Sequence, residues 1–396
     1  MLITDNKKIN DLLTRGVDEV INLKDLKNKL LTGKKLRIKL GIDPTSPNIH
    51  LGRSIPLLKL RDFQELGHQI VLIIGDFTGT IGDTSDKESE RPMLEKEVIQ
   101  KNLKNYIEQA GKIINIEKAE IHYNSKWLNG LNYNDIGYQA DQFSLNEFIS
   151  RENIKKRLDS SKRIVLRELL YPLMQAYDSV FVKADVELGG TDQRFNVLAG
   201  RTLQKAYKQE PQNIITNPLI EGLDGRKMSS SWGNTVNLTD SPDNMFGKIM
   251  SLKDESIIRY FILLTRVDLD KIKKFEKDLK LGLNPKIYKT ILAYELVRFY
   301  YSESEAKNAE DSFNTQFKNK GVPKNIKKIN FKSGTNILEV LKKLNFVSSN
   351  SEGRRKIKEK AVKIDDQIIL DFAFNLEVSG EKIIRLGKKI AKLIIK

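Results

Sequence analysis

The chain of 396 residues contains no cysteine. Disulfides, thiolate nucleophiles and thiolate metal ligands are therefore excluded. Histidine is scarce, with His50, His68 and His122 the three present. With so few of its usual ligands, a structural zinc site is not expected. Long apolar runs are missing as well. Stretches such as Ile70–Ile74 fall far short of the roughly 20 residues that span a bilayer. The N-terminal region carries Asp5, Asp11, Asp18 and Glu19, unlike a transit peptide, and has no secretory pattern. These absences lead to the expectation of a cytoplasmic protein with no membrane partner.

What is present is charge of mainly one sign. Lysine and arginine number 68 against 52 aspartates and glutamates, a formal net charge of +16. An excess of this size suits an acidic partner, RNA or DNA ahead of a membrane surface. A lysine-rich solvated surface would account for the same total. The length allows roughly 2–4 domains and a sizeable core.

Two segments read as buried strands, "KLRIKL" (Lys35–Leu40) and a run within "HQIVLIIGDFTG" (His68–Gly79). Between them Leu51, Ile55, Leu58 and Leu66 fall near helical spacing. Pro56 predicts a kink, or a helix starting no earlier than about Gly52. Strand, crossover helix, strand is the unit of a parallel α/β sheet. From Ser241 the sequence becomes helical and lysine-rich. Lys289–Phe313 reads as one helix, with Leu292, Leu296 and Phe299 on one face. "NKGVPKNIKK" (Asn319–Lys328) reads as a linker, and a compact tail is expected from about Thr335.

Four stretches carry candidate chemistry. In "KLGIDPTSPNIHLGR" a strand gives way to a turn at Asp43 and Pro44, and a helix begins after His50. Ligands of open α/β sheets bind outside the carboxyl ends of strands, where helix N-termini offer N–H groups to phosphate. His50 can donate to a phosphate oxygen, and Gly52 lets a flat base approach bare backbone. A capped turn with a surface histidine explains these residues equally well. "GRKMSSSWGN" (Gly225–Asn234) reads as a mobile loop with one lysine suited to a departing polyphosphate, or as an exposed polar linker. In "YPLMQAYDS" (Tyr171–Ser179), Tyr171, Gln175 and Asp178 share one helix face amid apolar neighbours, as a polar pocket lining would. "ELGGTDQRFN" (Glu187–Asn196) adds a Gly-Gly turn, Asp192 and Gln193. In "GDTSDKESER" (Gly82–Arg91), Lys87 and Arg91 stand four apart, as phosphate clamps or as part of an ordinary charged loop.

The order "HLGR", "YPLMQAYD", "ELGGTDQ", "KMSSS" and then a basic tail resembles the bacterial tyrosyl-tRNA synthetases, a class I aminoacyl-tRNA synthetase family, along essentially the whole chain. The resemblance implies an α/β fold with a Rossmann-like parallel-sheet catalytic domain over 1–235. It implies an α-helical domain contacting the anticodon region over 236–325, and a small α+β RNA-binding domain over 335–396. The implied reaction joins tyrosine to ATP, then passes tyrosine to the 3′ end of its tRNA. The attacking group is the substrate's own ionised carboxylate, so neither cysteine nor a strong base is needed. Such displacement is mostly positioning and charge stabilisation.

By resemblance, His50, Gly52 and Lys227 carry catalysis. ATP is expected to meet Asp43, His50, Gly52, Arg53, Lys87, Arg91, Lys227, Met228, Ser229 and Ser230. Tyrosine is expected to meet Lys39, Gly41, Asp83, Tyr171, Gln175, Asp178 and Gln193. Asp178 is to accept the phenolic hydroxyl, and the rejection of phenylalanine by tyrosyl-tRNA synthetases is itself the standard instance of discrimination by such a bond. Magnesium is expected with ATP, with no protein-bound metal, and a homodimer is implied. Three positions depart from the family pattern. Arg53 replaces a histidine, Ser230 replaces a lysine, and Lys39 stands where one bacterial subgroup has a tyrosine. The tail resembles a small RNA-binding domain shared with a ribosomal protein. Residues 335–396 hold fourteen basic and eight acidic side chains. Arg354, Arg355, Lys356 and Lys358 are the expected RNA contacts. The tryptophanyl-type synthetases share the fold, but Asp178 and the tail count against them. A non-catalytic RNA-binding paralogue is the reading that Arg53 and Ser230 favour.

Overall fold

The computed structural model describes residues 2–83, 93–317, 326–365, 367–376, 380–387 and 389–396, in two compact units, 1–306 and 307–396. The expected boundary near residue 235 falls inside the first unit.

The first unit is built on a six-stranded sheet of β1 (Glu19–Ile21), β2 (Arg37–Ile42), β3 (Gln69–Ile74), β4 (Ala119–Tyr123), β5 (Val186–Gly190) and β6 (Asn213–Asn217). Its order is β1-β6-β5-β2-β3-β4. All neighbours run parallel except the edge strand β1, which is antiparallel to β6. The central strand β3 is apolar along nearly every residue, as a strand covered on both faces is. Val71, Leu72 and Ile70 in β3 are fully buried.

Strand β2 begins two residues later than expected and runs two residues further, through Gly41 and Ile42. Pairing decides this: the ladder with β3 runs from Arg37 opposite Gln69 to Ile42 opposite Ile74. The chain is thus carried one step nearer the ligand side before it turns.

The crossover helix spans Leu51–Glu65, beginning directly after His50 as expected from the turn and one residue ahead of the limit set by Pro56, and His50 itself supplies the N-cap. Its side chain accepts from the Arg53 N–H. Pro56 lies inside the helix and cannot donate to the Gly52 carbonyl four residues back. The predicted helix Lys289–Phe313 is two helices, Pro285–Tyr300 and Glu303–Phe317. Tyr301 leaves helical geometry at φ −130° and ψ −93°. Ser302 restarts the chain by accepting from the Glu305 N–H.

The second unit carries a five-stranded sheet ordered β7-β11-β10-β8-β9. Its strands are β7 (Lys328–Phe331), β8 (Val362–Ile364), β9 (Gln367–Ile368), β10 (Gly380–Leu386) and β11 (Lys389–Ile395). The tail therefore starts before Thr335, since β7 pairs parallel with β11, Lys328 opposite Lys392. Lys328 is strand rather than linker, and 318–325 lies outside the described residues. Helices Ile337–Lys343 and Asn350–Lys358 pack onto the sheet through Val340, Leu341 and Ile357, all fully buried.

Candidate active site

A cavity of about 430 Å³ opens at the carboxyl ends of β2, β3 and β5, where ligands of open α/β sheets bind. Its floor is set by glycines. A Cβ on Gly75, just after β3, would land on Asp43 Oδ1 and Thr78 Oγ1. Only glycine lets Asp43 tuck under the β3 turn. There Thr78 Oγ1 donates to Asp43 Oδ1 at 2.8 Å, and the Tyr171 hydroxyl donates to Oδ2 at 2.8 Å. Burial raises the Asp43 pKa to about 6 against the pull of these two donors. Gly41, two residues before Asp43, has nothing within 4 Å of where a Cβ would stand, so β2 meets the cavity with bare backbone.

One helix, Leu166–Val182, supplies the polar face expected from its spacing. Tyr171, Gln175 and Asp178 all line the cavity. Asp178 is 3 % exposed. The Trp127 indole N–H donates to it at 2.8 Å and Asn124 Nδ2 at 3.4 Å. Burial pushes its pKa to about 7, opposed by the charge of Lys39 and by these two donors. Gln193 Nε2 donates to Asp83 at 2.7 Å, joining the loop after β5 to the chain after the short helix Thr78–Ile81.

Lys39 is not part of the lining, contrary to the sequence-based expectation. It is fully buried, and Nζ donates to Glu187 at 2.8 Å, Ser179 Oγ at 2.7 Å and the Gln175 carbonyl at 2.9 Å. The physical reason is Glu187 on the adjacent strand β5, opposite Lys39 in register. A buried carboxylate without a cation would be costly, so the lysine stays behind the helix. Gln175 Nε2 also donates to Glu187, at 3.1 Å. Lys39 thus acts on the cavity through the helix that carries Gln175 and Asp178.

Across the cavity lie His50, Gly52 and Arg53. His50 is buried, and burial together with the charges of Arg53 and Lys227 presses its pKa down to about 3. Its ring is neutral at physiological pH. Gly52 has the His50 ring 3.1 Å from any added Cβ. Arg53 Nη1 donates to the Tyr106 hydroxyl at 2.6 Å and Nη2 to Thr45 Oγ1 at 2.9 Å. The loop with Lys227 returns as a hairpin, its bridge pairing Glu221 with Lys227. Asn234 fixes the loop from inside. Its Oδ1 accepts from the Ser229 N–H at 2.9 Å, and its Nδ2 donates to the Lys227 carbonyl at 3.1 Å. Met228 Sδ accepts from the Gly52 N–H at 3.3 Å, joining the two motifs. Lys227 Nζ is 2.9 Å from Asp192. Ser229 and Ser230 also line the cavity.

Most expected site residues are therefore brought together, Lys39 being the exception. Lys87 and Arg91 lie outside the described residues. Thr78, Asn124, Trp127 and Asn234 escaped the sequence reading. Asn234 stood at the end of a quoted motif, whereas Asn124 and Trp127 had no local signal. No group of three or more His, Asp or Glu able to hold a metal ion occurs among the described residues. No helix among them is long and apolar enough to cross a membrane.

In the second unit, Arg354, Arg355, Lys356 and Lys358 lie on the helix Asn350–Lys358. Arg354, Arg355 and Lys358 are exposed, while Lys356 pairs with Glu359 at 2.7 Å.

Comparison with known proteins matches residues 31–318 to the family described as tRNA synthetases class I (W and Y). A tyrosine–tRNA ligase of Thermotoga maritima is 42% identical over 380 residues, covering 96% of this chain and 95% of the relative. One from Shewanella oneidensis is 43% identical over 387 residues, covering 97% of each. Among solved structures, the tyrosyl-tRNA synthetase of Archaeoglobus fulgidus complexed with L-tyrosine superposes with TM-score 0.62 at 24% identity. That match covers 77% of this chain and 99% of that one. A truncated mitochondrial tyrosyl-tRNA synthetase of Aspergillus nidulans gives 0.65 at 21% identity, over 78% and 94%. At these identities the structural likeness is one of fold.

Proposed function

The chain belongs to the class I tRNA synthetases of the tryptophan and tyrosine branch, as a tyrosine–tRNA ligase, and from that premise we propose which residues carry each step. The reaction has two displacements. Tyrosine's carboxylate attacks the α-phosphorus of ATP and pyrophosphate leaves. A hydroxyl of the terminal tRNA adenosine then attacks the tyrosyl carbonyl and AMP leaves.

The observation that carries the assignment is the polarity of the cavity. One side of the lining carries Asp43, Asp83, Gln175 and Gln193, and the other carries His50, Arg53 and Lys227, the last paired with Asp192. Asp43, Asp83, Tyr171, Gln175 and Gln193 form an end suited to the amino acid's ammonium and carboxylate. Gln175 is oriented by its bond to Glu187, which leaves its side-chain oxygen to accept from the ammonium. Asp178 lies deeper and accepts the phenolic hydroxyl. Gly41 gives the ring room.

At the other end His50 Nδ1 accepts from the Arg53 N–H, so the ring proton belongs on Nε2. A neutral imidazole donates to a phosphate oxygen without giving up its proton. Gly52 admits the flat nucleotide, and Lys227, Met228, Ser229 and Ser230 cover the phosphates. Lys87 and Arg91 remain proposed phosphate contacts. Magnesium arrives with the ATP phosphates. The cytoplasm is the place where ATP and uncharged tRNA meet this enzyme.

Arg53 is held against one wall by Tyr106 and Thr45, which presents a cation to the phosphates without filling the site. Arg53→His, too short for both contacts, should raise the ATP KM about tenfold, the scale of one charge-assisted bond. An unchanged or faster exchange rate would remove this role.

We also assign the four basic residues of the helix Asn350–Lys358 to tRNA binding, on the strength of their exposure and the local excess of positive charge. Exposed Tyr133, Leu145 and Leu166, between β4 and β5, support a homodimer through that region. The division into catalytic, helical and RNA-binding domains remains our reading of the two units.

Tyrosine-dependent exchange of labelled pyrophosphate into ATP tests the whole assignment. Exchange with tyrosine, and none with tryptophan or phenylalanine, is expected. Exchange with tryptophan would favour the tryptophanyl reading. No exchange with any amino acid, despite tRNA binding, would favour the non-catalytic paralogue.

A further inference from the structure

The second unit carries an apolar strip that the sequence reading did not single out. Ile368, Leu370 and Phe372 are exposed by 44%, 68% and 42%. Ile368 ends β9, Leu370 and Phe372 follow it, and Phe372 stands on a turn fixed from two sides. Asp371 Oδ1 accepts from the Ala373 N–H at 2.8 Å. Asn336 Nδ2 donates to the Phe372 carbonyl at 3.3 Å. Asn336 is itself the N-cap of the helix Ile337–Lys343. The aromatic ring is thus presented by a pinned backbone.

The Arg354 guanidinium lies over the Phe372 ring, 5.2 Å from its centroid. Exposed Arg355 and Lys358 continue the positive face of the same helix. An aromatic face beside a run of cations is the combination with which proteins hold an unpaired base: stacking on the ring, phosphates on the charges.

We propose that Phe372 is a stacking platform for an unpaired base of the bound tRNA, with Arg354 moving off the ring to meet the base or its phosphate. The proposal rests on the assignment of this helix to tRNA binding. Charge complementarity selects RNA over a second copy of this chain, which would set one basic face against another.

The test is a titration of the full chain with tyrosine tRNA at several salt concentrations. Phe372→Ala should weaken binding about tenfold, within the range for loss of one stacked base. The slope of log affinity against log salt should stay unchanged, because no charge is lost. Arg355→Gln with Lys358→Gln should lower that slope by about one to two. Phe372→Trp should keep the affinity, and its added emission should be quenched by tRNA beyond any quenching of the unsubstituted chain. This variant also reports if the alanine form fails to fold.

Parental affinity in Phe372→Ala, with the charge variants still lowering the slope, overturns the stacking platform and leaves the tRNA assignment standing. No effect from either set overturns both. Loss of self-association in Phe372→Ala, with RNA affinity intact, would show a contact between copies and also overturn the proposal.

Discussion

Asp178→Asn should lower kcat/KM for tyrosine in pyrophosphate exchange by about 10- to 100-fold, the range for a hydrogen bond to a charged group. Selectivity for tyrosine over phenylalanine should fall with it. The Asp178 carboxylate already receives the Trp127 indole at 2.8 Å and Asn124 Nδ2 at 3.4 Å. A carboxylate has about four acceptor positions, so two donors leave room for the phenol. Asparagine keeps one oxygen and turns an NH₂ toward buried donors. Phenylalanine leaves the native carboxylate without its substrate partner, and the substitution removes most of that penalty. Selectivity for tyrosine unchanged in Asp178→Asn would place phenol recognition elsewhere.

The same carboxylate predicts a pH dependence. Its pKa is raised to about 7 by burial, and that of Asp43 to about 6. Both must be ionised to accept, from the phenol and from the ammonium respectively. The native kcat/KM for tyrosine should therefore rise through about pH 7 and level off roughly one unit above it. It should fall as pH drops through 7 toward 6, while kcat at saturating tyrosine changes less. The profile of Asp178→Asn should lose its upper inflection and keep the lower one.

How far the sequence carried these conclusions follows from where each constraint acts. The parallel sheet was legible because β3 is apolar enough to be covered on both faces and a helical spacing separates it from β2. The helix face of Tyr171, Gln175 and Asp178 was legible because helical spacing alone puts the three on one side. Lys39 was misread because its partner, Glu187, lies 148 residues away. Only strand pairing brings the two together. Asn124 and Trp127 reach Asp178 by the same long-range route. The break at Tyr301 was missed because Leu292 and Leu296 sustain the helical period up to it, and the change is in the backbone. Phe372 was passed over because an exposed aromatic in a tail has no period, and its meaning depends on Arg354 lying above it.

Lys227→Ala should be the most damaging single change to activation. Adenylation should slow by about 10²–10³ in kcat, the scale for removing one preorganised group that meets transition-state charge. Lys227 is engaged by Asp192 at 2.9 Å. It can therefore pass from a carboxylate to the phosphates only as negative charge builds on the departing pyrophosphate. An interaction made chiefly at that moment lowers kcat and kcat/KM together. The tyrosine KM should be nearly unchanged, since Lys227 belongs to the phosphate end of the cavity. Ser230 supplies no cation, and Arg226, the other cation of this loop, is held by Asp224 and lies over the Trp232 ring, so neither stands in for the lost charge. The loop should keep its shape, because Asn234 holds it through the Ser229 N–H and the Lys227 carbonyl, both backbone groups. Single-turnover formation of tyrosyl-adenylate measures the step directly. A rise confined to ATP KM, with kcat intact, would mean that Lys227 binds the ground state. A drop in kcat with unchanged substrate affinities would locate its action where the α–β phosphate bond breaks.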